Sequence, residues 1–157
     1  MFVGRKKELD ALNSRYKSNR KEFGVLYGRR RIGKSSILNE FLKGKKGILF
    51  QAKQDNSYGN LKSFSYEVDH LLNLPDTFVF ASWQHAFKSI QEYAKNERFV
   101  LIIDEYPYIV SQDSSFSSVL QEFIDHTSDN MMVILSGSDI GFLQREIQNH
   151  ASPLYKR

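Results

Sequence analysis

The chain contains four short apolar runs, at residues 23–28, 48–52, 99–103 and 131–135. The third and fourth runs contain no alternation of polar and apolar positions, a pattern typical of strands buried on both faces of a parallel sheet. We therefore predict four strands, each followed by a segment of a different periodicity.

Between these runs, apolar residues recur at the three- and four-residue spacing of amphipathic helices. Strands that alternate with helices predict an α/β fold, a three-layer sandwich with a mainly parallel sheet. Residues 78–81 are ambiguous, either extended chain or a lead-in to the helix that Ser82 caps, and Pro75 with Asp76 should end the preceding helix. The predicted helices cover residues 5–18, 34–42, 58–73, 82–93, 116–124 and 139–149.

Length and composition indicate one domain, residues 1–157, with 41% hydrophobic residues to build its core. The absence of cysteine excludes disulfides, thiolate metal sites and cysteine nucleophiles. The apolar runs are too short to cross a membrane, and the charged N-terminus lacks a signal-peptide core. We expect a cytoplasmic protein with no membrane partner.

Basic and acidic residues are distributed unevenly along the chain. Residues 1–46 contain 14 Lys and Arg against 4 Asp and Glu, although the whole chain carries only +4. A basic half suggests nucleic acid, but four of these residues lie in a loop suited to polyphosphate, and others fit solvated helix faces. Direct nucleic-acid binding is therefore the less favoured explanation.

The most informative motif is Gly-Arg-Arg-Arg-Ile-Gly-Lys-Ser-Ser at residues 28–36, which matches the Walker A pattern G-x-x-x-x-G-K-[ST]. It lies between a predicted strand and a predicted helix, the context in which backbone N–H groups and a helix N-terminus surround phosphate. Lysine supplies a charge for the outer phosphates, and the serine hydroxyl reaches Mg²⁺. The predicted nucleotide-binding residues are Gly28, Arg29, Arg30, Arg31, Ile32, Gly33, Lys34, Ser35 and Ser36.

Polar side chains follow two other predicted strands. Asp104 and Glu105 end the third strand as a Walker B site would, where Asp104 associates with Mg²⁺ and Glu105 activates water. The alternative is a strand that leaves the core in a polar turn. After the fourth strand, Ser136 or Ser138 would sense the γ-phosphate, with a plain glycine turn as the alternative. Gln51 is a weaker candidate, and the four histidines show no metal-ligand spacing.

Several segments, in this order, resemble the archaeal-type ATPases of the AAA+/STAND region of P-loop NTPases. They are Phe2–Leu9, Tyr27–Leu38, Leu101–Tyr108, Ile134–Ser138 and Ser152–Tyr155. The resemblance implies an ASCE/AAA+ type sheet and ATP with Mg²⁺ as ligands. It also implies that Phe2, Val3 and Arg5 lie near the adenine, that Ser35 and Asp104 serve the metal, and that Lys34, Glu105 and a sensor at Ser136 or Ser138 serve catalysis.

The chain departs from the family pattern after Tyr155, where Lys156 replaces the usual glycine. The resemblance implies a fifth strand beside the first, so we expect a truncated ATPase core whose exposed edge favours self-association or a completing partner domain. Arg157 is the nearby candidate for an arginine finger, and a terminal residue is poorly held.

These features predict Mg²⁺-dependent ATP hydrolysis in the motor or switch domain of a larger protein. The alternative is a nucleotide-binding switch or an inactive fragment with little turnover. A kinase is a weaker interpretation because Glu105 suits water better than an acceptor substrate, and a GTPase is weaker because no Asn-Lys-x-Asp motif occurs.

Overall fold

The computed structural model describes residues 6–27, 33–75 and 78–138 of the chain. Strands and helices alternate along these residues, as the hydrophobic pattern predicts. The strands are β1 (Glu22–Tyr27), β2 (Gly47–Gln51), β3 (Phe99–Asp104) and β4 (Met131–Gly137). The helices are α1 (Lys6–Tyr16), α2 (Lys34–Leu42), α3 (Ser57–Leu72), α4 (Trp83–Tyr93), α5 (Pro107–Gln112) and α6 (Phe116–His126).

The four strands form one sheet in the order β1-β4-β3-β2, and every pairing is parallel. The register sets Gln51 opposite Asp104 and Leu26 opposite Ser136. Parallel strands bring their carboxyl ends to one edge of the sheet, where ligands of open α/β folds bind. Within the described part of the chain, β1 lies at one side of the sheet and pairs with β4 alone.

Both faces of the sheet are covered, which confirms the three-layer prediction. Alternate residues of β3 belong to two separate apolar clusters: Leu101 and Ile103 to one, Val100 and Ile102 to the other. Helices α3 to α6 cover the first face with an aromatic-rich layer, and α1 and α2 cover the second. Every residue of β3 and β4 is buried, in agreement with their unbroken apolar runs.

Local signals account for the start of α4 and the end of α3. The Ser82 hydroxyl accepts a hydrogen bond from the His85 N–H at 3.2 Å, which confirms the predicted cap of α4. Helix α3 ends before Pro75 and Asp76, because Asn73 takes a left-handed conformation with φ 59°. Residues 78–81 form neither helix nor strand.

Two features at the sheet's carboxyl edge differ from the predicted pattern of elements. Pro107 opens α5, a short helix that the apolar spacing does not predict, and its fixed φ suits the first turn of a helix. Strand β4 continues through Ser136 and Gly137, so these residues are paired strand and not a plain glycine turn. The predicted helix at 139–149 lies outside the described residues.

In the part of the chain that the structure describes, none of the helices is long and apolar enough to cross a bilayer.

Candidate functional site

Five side chains meet at the carboxyl edge of the sheet and are called the carboxyl-end cluster below: Lys34, Asp104, Glu105, Ser136 and Ser138. They come from the start of α2, the end of β3 and the end of β4, segments far apart in sequence. Each of them is a site residue predicted from the sequence, and the parallel pairing of β3 with β4 brings the residues that follow these two strands together.

Lys34 is the cation of the cluster. It follows Gly33, whose φ of 85° lets the chain turn sharply into α2. The Lys34 side chain is 7% exposed, and its Nζ lies 4.0 Å from Asp104 Oδ1 and 4.0 Å from Glu105 Oε2. These distances exceed a hydrogen bond. Two carboxylates around one buried ammonium leave a net negative charge, which a divalent cation would offset.

Asp104 is held rigidly at the end of β3, with 3% of its surface exposed. Its Oδ1 accepts a hydrogen bond from the Ser136 hydroxyl at 2.7 Å and another from the Glu105 N–H at 3.0 Å. Charge-assisted bonds of this kind fix a carboxylate in place. The sequence offered no signal for the Ser136 contact, because it depends on the register of β3 against β4.

Glu105 stands in an unusual backbone conformation, with φ 55°. Among the described residues, the other non-glycine positions with positive φ are Asn19 and Asn73. Asparagine tolerates the left-handed region because its short amide bonds locally, whereas a glutamate there costs about 1 to 2 kcal/mol. Such strain concentrates at functional sites, where a side chain must point in one required direction.

The two serines occupy different positions. Ser136 is fully buried beneath Asp104. Ser138 follows the end of β4, and its hydroxyl lies 3.5 Å from Glu105 Oε1, a long contact. Ser136 therefore fixes the aspartate from below, and Ser138 is the hydroxyl nearer the glutamate.

Ser35 and Ser36 lie in the first turn of α2 and are exposed. Gln51 is exposed at the end of β2, opposite Asp104. His70, His85 and His126 are exposed on helices, away from the cluster. Several predicted site residues lie outside the described part of the chain: Gly28, Arg29, Arg30, Arg31, Ile32, Phe2, Val3, Arg5, Arg157 and His150.

The donor set fits Mg²⁺ by its chemistry. A hard cation prefers oxygen ligands, and Ser35 with Asp104 would supply a hydroxyl and a carboxylate beside a net negative cluster. No described cysteine or histidine competes for the position, since the chain contains no cysteine and the described histidines are exposed elsewhere.

The chain is similar to a known protein family and to individual proteins of Archaea. Residues 2–157 match the family described as an ATPase domain predominantly from Archaea. An uncharacterized protein of Methanocaldococcus jannaschii is 29% identical over 159 residues, which cover 100% of this chain and 34% of that protein. An uncharacterized ATP-binding protein of the same organism is 46% identical over 46 residues, 29% of this chain and 78% of that protein.

The chain thus spans about a third of the length of the first relative. Among solved structures, a Walker-type ATPase of Pyrococcus abyssi matches with a TM-score of 0.73 and 22% identity, over 99% of this chain and 51% of that one. The Orc1 protein of Aeropyrum pernix, solved in complex with DNA, matches with a TM-score of 0.69 and 15% identity, over 92% of this chain and 41% of that one. At these identities the likeness shows that the chains share a fold.

Proposed function

The chain belongs to the family of ATPase domains found predominantly in Archaea, and on that premise we propose that its carboxyl-end cluster binds ATP with Mg²⁺ and hydrolyses the γ-phosphate. The observation that carries the proposal is the position of Lys34, buried 4.0 Å from both Asp104 and Glu105 at the edge where ligands of parallel sheets bind. Residues 1–157 would form one ATPase core.

Binding is assigned to the start of α2. The N–H groups of its first turn and the positive end of its dipole favour phosphate, and the Lys34 ammonium adds a full charge. Residues 28–32 would complete the phosphate loop, with Phe2, Val3 and Arg5 near the adenine, as the motif and the family resemblance imply. Ser35 and Asp104 would hold Mg²⁺, which neutralises phosphate charge when bound.

Hydrolysis is assigned to Glu105. Its carboxylate accepts a proton from water while the water oxygen forms a bond to the γ-phosphorus and the bond to the β–γ bridging oxygen breaks. The products are ADP and inorganic phosphate. Lys34 stabilises the charge on the transferred group, Ser136 keeps Asp104 in place, and Ser138 orients either the water or Glu105. Positioning and charge supply most of the acceleration in such reactions.

Because the chain spans about a third of the first relative, we propose that it acts as the motor or switch domain of a larger protein. An additional strand beside β1, from a partner domain or a second copy, would complete the sheet. Turnover by this chain alone should be slow, well below ~1 per second, as in P-loop enzymes without an arginine finger.

Direct nucleic-acid binding is the weaker proposal for the basic residues. Arg15 pairs with Glu22 at 3.4 Å, Lys43 pairs with Glu40 at 2.9 Å, and Arg98 binds main-chain carbonyls. Each of these three side chains already has an internal partner, which a phosphate backbone would have to displace.

The test compares wild type with Glu105→Gln for ATP affinity and for phosphate release in Mg²⁺. The amide keeps the shape of the side chain but cannot accept the proton, so we expect unchanged affinity and at least about a 100-fold loss of turnover. Glu92→Gln, which removes an exposed carboxylate paired with Lys95, should behave as wild type.

Two results would contradict the assignment. Turnover at the parental rate in Glu105→Gln would exclude Glu105 as the group that activates water. Tight ATP binding with no turnover in wild type would replace hydrolysis by the nucleotide-binding switch.

A further inference from the structure

The residue after Glu105 is tied into the core by its side chain. Tyr106 is fully buried, and its hydroxyl lies 2.7 Å from the Ser117 hydroxyl in the first turn of α6. Its ring packs against Phe116, with centroids 5.8 Å apart and a tilt of 48°. Thus the position next to the strained glutamate is connected to a different helix, α6, by polar and aromatic contacts.

A left-handed glutamate needs restraints on both sides, because the backbone would otherwise relax to an unstrained φ. On the N-terminal side, the Asp104 carbonyl accepts a hydrogen bond from the Ala52 N–H at 2.9 Å, and the Glu105 N–H donates to Asp104 Oδ1 at 3.0 Å. These contacts fix the end of β3 against β2.

On the C-terminal side, the Tyr106 N–H donates to the Ser136 carbonyl at 3.1 Å, and the Tyr108 N–H donates to the Glu105 carbonyl at 3.0 Å. Both bonds are made by one peptide group, the one that joins Glu105 to Tyr106. They hold the main chain at the point where the Tyr106 side chain enters the core.

The hydroxyl pair contributes to the position of the Tyr106 ring. A buried phenol that loses a hydrogen-bond partner loses free energy, so the Ser117 hydroxyl favours a ring position in which the two oxygens meet. Moving the ring would move the peptide between Glu105 and Tyr106, and with it the direction of the Glu105 carboxylate. Displacements of about 1 Å lower rates by as much as about 100-fold when a group must be aligned with a reacting atom.

We propose that the Tyr106–Ser117 hydroxyl pair is a tether that positions Glu105 for the attack of water, an inference that rests on the proposed function. Tyr106 is a positioning residue in this scheme, since it acts through Glu105 and through the Ser136 carbonyl. The tether also makes α6 part of the catalytic apparatus, although none of its side chains belongs to the carboxyl-end cluster.

The test uses substitutions that remove one hydroxyl and little else. Tyr106→Phe and Ser117→Ala should each leave ATP affinity within about twofold and lower turnover about tenfold. The double variant should lose no more than either single one, because the two groups act as a unit. Ser117→Thr, which keeps a hydroxyl, should recover most of the turnover.

Tyr93→Phe is the matched control. It removes a phenol hydroxyl from a ring that packs on Phe99 at 5.5 Å, at the opposite end of β3 from Glu105, and it should leave turnover unchanged. Additive losses in the double variant, or an equal loss of ATP affinity, would indicate general structural damage and would overturn the tether.

Hydrogen exchange tests the tether independently of ATP hydrolysis. The amides of Tyr106 and Tyr108 should exchange at least about tenfold faster in Tyr106→Phe than in wild type, whether or not wild type hydrolyses ATP. Unchanged exchange together with unchanged turnover would refute the tether. A wild-type chain without turnover would refute hydrolysis, and the exchange rates would still decide whether the hydroxyl pair holds the turn.

Discussion

The two ends of the sheet each contain a basic side chain, but the two are bound in different ways. At the amino end, the Arg98 guanidinium lies over the Tyr16 ring at 5.5 Å and donates hydrogen bonds to four main-chain carbonyls. At the carboxyl end, Lys34 lies 4.0 Å from each of two carboxylates. The carbonyls that Arg98 binds are those of Arg15 at 3.2 Å, Tyr16 at 3.1 Å, Arg20 at 2.7 Å and Asp129 at 2.8 Å.

The difference indicates what each end does. A planar guanidinium bonded to fixed carbonyls joins α1, the turn before β1 and the turn before β4, so its role is structural. An ammonium held near carboxylates, beyond hydrogen-bond distance, remains able to contact an added phosphate. The residues with positive φ also differ between the two ends. Asn19, of a type that tolerates this conformation, precedes β1, whereas Glu105, of a type that is strained by it, follows β3.

The largest expected effect comes from removing the cation at the carboxyl end. Lys34→Ala should weaken ATP binding by at least about 100-fold, because a charge-assisted contact to phosphate is lost in a buried site. Lys46→Ala, an exposed lysine at the amino end of β2, should leave affinity unchanged. Titration calorimetry measures both, and equal affinities of the two variants would remove the functional distinction between the ends.

Removing the cation at the amino end should instead affect stability. Arg98→Met should lower the free energy of unfolding by about 2 to 4 kcal/mol, because several carbonyls lose a charged donor at once. Arg15→Met, which removes a half-exposed ion pair with Glu22, should cost below about 1 kcal/mol. Urea denaturation tests the pair. A loss for Arg98→Met no greater than for Arg15→Met would show that the carbonyl contacts are not structural.

Relieving the strain at Glu105 should separate stability from activity. Glu105→Gly should change the free energy of unfolding by about +1 kcal/mol, since glycine adopts positive φ without penalty, and should abolish turnover. Asn73→Gly replaces a residue that already tolerates φ 59°, so the free energy of unfolding should change by no more than about 0.3 kcal/mol. A Glu105→Gly variant less stable than wild type would argue against strain at this turn.

The smallest expected effect concerns Lys45, whose ammonium lies 4.5 Å from the Phe41 ring centroid. Burial, and to a lesser degree the charge of Lys17, lowers the pKa of Lys45 below its ordinary value. The folded state therefore binds fewer protons than the unfolded state just below that value, and stability should rise with pH there. In Lys45→Met the gain in the free energy of unfolding with pH should be smaller by less than about 0.5 kcal/mol, because water screens a partly exposed group. Denaturation between about pH 8 and pH 10 measures the slope.

Local and periodic features of the fold could be predicted from the sequence. The apolar runs located β3 and β4, Ser82 located the start of α4, and the Walker A pattern located Lys34. Asp104 and Glu105 could be assigned because they follow a strand whose carboxyl end must face the ligand edge. Ser138 could be assigned for the same reason, because it follows the end of β4.

Features that depend on long-range packing could not be predicted in this way. The Ser136 contact with Asp104 requires the register of two strands, and the Arg98 contacts join segments 31 to 83 residues apart. Helix α5 was not predicted, because a proline such as Pro107 occurs both at the start of helices and after the end of strands. Its six residues also give too few turns for a periodic pattern. The left-handed turn at Glu105 has no local signal, since tertiary contacts impose it.

Amide hydrogen exchange with and without Mg²⁺ and ATP tests the central distinction most directly, because it reports on both ends of the sheet in one experiment. We expect slower exchange at residues 33–36, 104–106 and 136–138 when the nucleotide is added, with no change at residues 15–21 and 98–100. Protection at the amino end, or none at the carboxyl-end cluster, would contradict the division between the two ends of the sheet.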